Sequence, residues 1–262
     1  MTWSLIFTFF RSLTLDHLER SLYSLSKQTI SPDCWLFFEN NTDYSESEIK
    51  RVIAKHFDVD KLRFSFNKHG DPAKTTASWC QNTAIRMAKH DVFILAKADC
   101  IYDVDYCERL VGEFSKQSND GADPMWFVAS WLMQMPYWSQ KGKPHEAVDH
   151  ASDLEGLNWR ENPKNLLKNS EGAGWHTSAL YDAASFITTK QAMAAADFYD
   201  EELLEWGYWQ LDLQGAMQRA GVKFHIIEEY LYFHQMHEIE NGPRDLKKAQ
   251  AMYDASSRRS RA

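Results

Sequence analysis

The chain has little of three things that would settle its class quickly: paired cysteines, long apolar runs and a surplus of positive charge. Its four cysteines, Cys34, Cys80, Cys100 and Cys107, form no C-x-x-C pair and show no zinc-type spacing. They read as reduced structural thiols rather than as a disulfide framework or a metal knuckle. No apolar stretch approaches the roughly 18–20 residues of a membrane helix, because Arg11 stops the opening run Trp3–Phe10. That run is also a poor signal peptide, with no cation before it and no small-residue cleavage site after it, so a cytoplasmic location is expected. With 37 acidic against 29 basic residues the formal charge is −8, which argues against a whole-protein grip on nucleic acid or an anionic membrane. Internal repeats, low-complexity tracts and a Gly-rich phosphate loop after the first apolar run are absent too. What the 262 residues do have in excess is aromatic: 14% of the chain, with ten Trp.

The first half alternates short β-type runs with helical patterns. Residues 3–10 are β-branched and aromatic, and 15–28 place Leu15, Leu18, Leu22 and Leu25 at helical spacing. A second apolar run at 34–38 ends in the polar stretch Glu39–Ser47, after which Ile49, Val52, Ile53 and Phe57 mark another helix. A third strand at 61–66, a third helix at 77–89 and a fourth strand at 92–96 follow. This pace implies βαβ units and a largely parallel sheet, with ligands gathering at the carboxyl ends of its strands. The polar loops after Phe10, Phe38, Asn67 and Ala96 then share one rim.

The middle, about 117–177, is rich in Gly, Asn, Asp, Pro and Trp and weak in periodicity, as a functional loop region would be. Regular patterns return with a strand near 179–189, a helix at 190–198, an amphipathic helix ended by Gly221 and a strand at 222–234. The tail from 244 carries Arg244, Lys247, Lys248, Arg258, Arg259 and Arg261 against Asp245 and Asp254, and is locally basic.

This order of segments resembles the GT-A glycosyltransferases, closest to the inverting, nucleotide-sugar-dependent family 2, from about residue 4 to 237. Arg11 keeps the Arg of the family's first turn. The stretch Glu39–Asp43 is similar to the turn that holds the nucleotide base, which implies nucleoside contacts from Glu39, Asn41 and Asp43. Asn82 matches the family's helix Asn, and Lys97-Ala98-Asp99 stands at the Asp-x-Asp motif. Asp99 matches the metal-coordinating Asp, while Lys97 replaces the first one. The stretch Tyr199–Gly221 is similar to a second family segment, with Trp206, Gly207, Asp212 and Leu213 in place. Trp209 and Gln210 stand where the family has a Glu-Asp pair whose Asp is usually the general base. An acceptor hydroxyl needs a carboxylate or His beside it in an inverting transfer, so that duty falls to Asp212, Glu205 or Glu202, or else the enzyme uses another mechanism. A late His completes the metal site in many relatives, and His237, or else His234, resembles it.

The resemblance therefore implies an α/β fold of GT-A type: a mixed, mainly parallel sheet flanked by helices, with a loop-rich acceptor region. One catalytic domain, 1–240, divides into a nucleotide-sugar half, 1–116, and an acceptor half, 117–240, followed by a basic tail, 241–262. The expected donor is UDP-sugar or another nucleoside diphosphate sugar. Asp99 and His237 would hold Mn²⁺ or Mg²⁺, with Lys97 able to supplement or partly replace that charge. Trp175, Trp206, Trp209 and Gln210 are expected to contact sugar or acceptor, since a pyranose face packs on an aromatic ring. The acceptor is a polysaccharide or lipid-linked sugar, or a hydroxymethylated base in DNA. Lys141, Lys143, Arg160, Lys164 and Lys168 form either a solvated loop face or the grip on a phosphate-bearing acceptor. The competing reading is a non-catalytic relative that binds a sugar or nucleotide.

Overall fold

The computed structural model describes residues 1–10, 13–68, 76–134, 158–164, 176–177, 185–202 and 209–235. Its strands are β1 (Ser4–Phe10), β2 (Cys34–Asn40), β3 (Leu62–Asn67), β4 (Val92–Lys97), β5 (Cys100–Tyr102), β6 (Trp126–Gln134), β7 (His176–Thr177), β8 (Phe186–Thr189) and β9 (Lys223–His234). Its helices are α1 (Leu15–Ser26), α2 (Glu46–Ile53), α3 (Ala77–Met87), α4 (Tyr106–Ser118), α5 (Lys190–Ala195) and α6 (Trp209–Arg219).

All the strands join one sheet in the order β3-β2-β1-β4-β8-β6-β9-β5, with β7 paired to β6. Strands β1 to β4 are mutually parallel and β6 runs parallel to β9, while β8 is inserted antiparallel between β4 and β6. The mixed, mainly parallel α/β sheet expected from the sequence is thus present. Both faces are covered. On one, Leu18, Leu22 and Leu25 of α1 and Ile49, Val52 and Ile53 of α2 share a core with Leu5, Phe7 and Phe9 of β1, and Leu110 and Phe114 of α4 extend it over β6 and β8. On the other, Ala84 and Ile85 of α3, Met193 of α5 and Trp209, Leu213 and Met217 of α6 pack on Ile6, Leu36, Phe38, Phe93 and Leu95. Two-sided burial is why these strands read as near-continuous apolar runs.

Helix starts are set locally. Thr14 and Ser45 close capping boxes with His17 and Glu48, and Thr76 accepts from the Trp79 amide at the start of α3. The four thiols are unbridged and buried, as their spacing implied.

One sequence expectation is corrected. The loop-like middle is interrupted by β6, nine residues that lie inside the sheet between β8 and β9. Trp126–Gln134 shows no clean alternation because both of its faces are covered, and Gly, Asp and Pro just ahead of it read as loop. Trp159 is likewise a packing residue. It is fully buried, edge-on to Tyr23 of α1, with the Arg160 guanidinium over its ring.

Candidate functional site

The carboxyl ends of β1, β2 and β4 form the rim where ligands gather in parallel α/β sheets. The turn after β4 is fixed from several sides. The Tyr102 hydroxyl accepts from the Lys97 amide at 2.7 Å and donates to the Lys97 carbonyl at 3.0 Å. The Ser21 hydroxyl of α1 reaches the carbonyls of Ala98 and Cys100. Gln235, immediately after β9, donates its amide to the Asp99 carbonyl at 2.6 Å, and its side chain bonds Ser21, Ala98, His17 and Arg20. This hub was not read from the sequence, where Gln235 is only one polar residue at a strand exit.

The consequence is the position of His234. Strand β5 pairs antiparallel with β9 so that Cys100 faces His234, and this brings His234 Nε2 to 3.4 Å from Asp99 Oδ2. The other carboxylate oxygen of Asp99 accepts from the Cys100 thiol at 3.3 Å. Of the two late histidines weighed from the sequence, His234 is therefore the one seen beside Asp99. His237 lies outside the described residues, as do Arg11, Trp175, Glu205 and Trp206.

Lys97 ends β4 with its ammonium 4.9 Å from the centroid of the Trp209 ring. That contact ties the start of α6 to the β4 rim. Trp209 and Gln210 are both buried there, and Trp209 also packs edge-on against Tyr199 at 5.2 Å. Asp212, in the first turn of α6 and three residues beyond Trp209, lies on the same side of the helix and is 8% exposed.

The residues expected to hold the nucleoside divide into two kinds. Glu39 is wholly buried at the end of β2, and the chain itself uses its carboxylate. One oxygen accepts from the Thr42 amide at 2.5 Å, the Thr42 hydroxyl at 2.8 Å and Lys68 Nζ at 2.6 Å, and the other accepts from the Asn67 amide at 3.1 Å. Glu39 thus shapes the turn, in which Asn41 takes a left-handed conformation and Asp43 is exposed. Asn82 is similarly engaged: it donates to the Tyr199 carbonyl and to Glu201, and accepts from the Tyr199 amide, so it bolts the segment before α6 onto α3.

A second set was missed by sequence reasoning. Asn40 beside Glu39, and Ser78 and Gln81 in the first turns of α3, are at most 1% exposed. The hydroxyl of Ser78 and both amide atoms of Asn40 and of Gln81 have no hydrogen-bond partner among the described residues. Strand alternation from Leu36 and Phe38 turns Asn40 toward α3, and the Phe38–Trp79 ring contact at 6.4 Å sets the start of α3 level with that strand end. Burial pushes the Cys80 thiol up; Glu39 adds to the rise and Lys97 opposes it.

Two of the five middle-region cations are committed elsewhere. Lys164 reaches Asp103 at 2.9 Å, and that bond holds its ammonium above the usual lysine range, while Arg160 lies over Tyr23 and Trp159. Lys141, Lys143 and Lys168 and the basic tail 241–262 lie outside the described residues.

Asp99 and His234 are a carboxylate and an imidazole in one spot, a donor set that fits Mn²⁺ or Mg²⁺ as part of a coordination shell. They do not make a complete cage: no group of three His, Cys, Asp or Glu suited to a metal occurs among the described residues. The remaining ligands would be phosphate oxygens and water, which is how a hard cation is commonly held in phosphate-binding sites.

Among the described residues, no helix is long and apolar enough to cross a membrane. No curated protein matches the chain. Among solved structures it is similar to S. aureus TarS 1–349 in complex with UDP, at 12% identity and a TM-score of 0.58, covering 98% of this chain and 65% of that one. It is also similar to GalNAc-T7 with UDP, GalNAc and Mn²⁺, at 13% identity and a TM-score of 0.64, covering 98% of this chain and 48% of that one. The chain thus spans about two thirds of the first and half of the second, and at such identities the likeness speaks for a shared GT-A fold. The sequence family described as Glycosyl transferase family 2 matches residues 4–188, most of the chain, and to that family the chain belongs.

Proposed function

We propose that this chain transfers a sugar from a nucleoside diphosphate sugar to an acceptor hydroxyl. The observation that carries this reading is the Asp99–His234 pair at the end of β4, held by the Gln235 hub beside Lys97 and next to buried polar groups that the chain leaves unbonded. The turn that Glu39 shapes, with Asn41 and Asp43, presents the nucleoside. Asp99 and His234 would hold a divalent ion, whose chemistry there is to neutralise the charge that develops on the departing diphosphate. Asp212 is the one carboxylate in the first turn of α6, and it takes the acceptor proton or steadies positive charge at the anomeric carbon. Its burial supports either role, since a carboxylate shielded from water acts more strongly on a nearby charge. Trp209 and Gln210 line the approach.

The acceptor is taken to be a carbohydrate: among the described middle-region cations Lys164 is paired with Asp103 and so is not free to hold a polyanion.

The test is release of nucleoside diphosphate from a panel of nucleotide sugars, with and without Mn²⁺ or Mg²⁺. Turnover or binding of at least one donor is expected, and failure with every donor under every condition would remove the proposal.

A further inference from the structure

Lys97 stands out once the polar groups of the rim are paired off. It is 5% exposed, and the ring of Trp209 is the contact its ammonium makes among the described residues. Two carboxylates of the same rim are committed, Glu39 to Thr42, Asn67 and Lys68, and Asp99 to His234 and Cys100. Its side chain is largely covered while its ammonium meets a ring face and not a carboxylate, and a ring face recovers only part of an ion's hydration. Such a charge is open to an arriving anion.

The surroundings state what else that anion carries. The register places Thr8 opposite Lys97 and Phe10 opposite Asn40 on the two sides of β1. Lys97 and Asn40 therefore lie two strand spacings apart, about 10 Å, with Asn40 two residues further along. Both turn toward the face that α3 and α6 cover. Unbonded carboxamides and a hydroxyl at the Asn40 end, with a cation at the other, match a molecule that is polar and uncharged at one end and anionic at the other.

Resting on the function proposed above, we infer that Lys97 is a built-in counter-ion for the donor diphosphate, so that donor binding survives removal of the divalent metal. Trp209 holds the ammonium in place and excludes water from it. Lysine at this position does as a fixed point charge what an aspartate could do only through a bound cation.

The experiment is calorimetry on the full chain with UDP, GDP, CDP and dTDP, in excess EDTA and in Mn²⁺, for wild type and Lys97→Gln, together with the melting temperature of each without ligand. The wild type is expected to bind one of these nucleotides in EDTA within about tenfold of its affinity in Mn²⁺. Lys97→Gln is expected to lose at least about tenfold in EDTA, as removal of a desolvated charge contact does, and less in Mn²⁺. Its melting temperature should stay close to that of the wild type, because the charge makes a ring contact and no ion pair among the described residues. Equal binding by Lys97→Gln in EDTA would overturn the inference, and so would wild-type binding that requires Mn²⁺ or a clearly lower melting temperature for the variant. Absence of wild-type binding in both buffers would instead overturn the function on which it rests.

Discussion

Two groups of buried polar side chains sit at the same end of the sheet and differ in one respect. Around Glu39 and Gln235 every group is answered by the chain: amides, hydroxyls and Lys68 surround the carboxylate, and four residues besides Asp99 surround the glutamine. Around Asn40, Ser78 and Gln81 the chain supplies no such partners among the described residues, and the Lys97 ammonium meets a ring and not an anion. Buried polar atoms are rarely left unmade, since each costs roughly 1–3 kcal/mol. The first group therefore builds the rim and the second is what the rim presents. Equal burial and equal polarity lead to opposite roles, and bonding is what separates them.

That contrast can be broken by substitution. The largest effect on turnover is expected at Asp99, where Asp99→Asn keeps size and burial but removes the charge shared with His234. Transfer should fall by about 100-fold or more, with little change in stability, because the lost interaction is one with developing charge. A mild loss with a normal metal response would detach Asp99 from the reaction. Next is Glu39→Gln, which sets an amide against the Asn67 N–H or the Lys68 ammonium. It should cost stability by about 2 kcal/mol in urea unfolding, as the loss of a buried bonded acceptor does. If Glu39→Gln were as stable as wild type, the separation of building from presenting residues would fail.

The matching change on the other side is Gln81→Met, which replaces an unbonded amide by an apolar chain of similar length. Its stability should stay within about 1 kcal/mol of wild type or rise, while nucleotide affinity falls. A large loss of stability there would show that Gln81 is bonded after all. The smallest expected effect lies away from the rim. Burial, outweighing the nearby Glu19, holds the His56 imidazole below the ordinary histidine range, edge-on to Tyr23. The unfolded chain then takes up that proton first, so stability is present above the ordinary histidine pKa and is lost as pH falls through and below it. His56→Gln should flatten this acid slope slightly in melts between pH 7 and 5, without touching nucleotide binding.

The first part of the chain was legible because its signals are local. Leucines at helical spacing and apolar runs between polar turns located β1 to β4 and α1 to α3 within a few residues. The rest depends on pairings that no local pattern contains. Strand β6 carries no alternation, β5 is three residues long, and the antiparallel insertion of β8 is decided by what it packs against. The site divides in the same way. Asp99 and Asp212 could be named from their segments, but the choice of His234 beside Asp99 depends on the register between β5 and β9. Asn40, Ser78 and Gln81 were invisible because a sequence shows that a residue is polar, not whether anything answers it.

The most direct measurement is a crystal structure with a bound nucleotide sugar. The diphosphate is expected between Lys97 and the Asp99–His234 pair, with the nucleoside over the ends of β1 and β2 and the amides of Asn40 and Gln81 bonded to it. A nucleotide seated elsewhere, or seated there with both amides and the Lys97 ammonium still unmet, would contradict it.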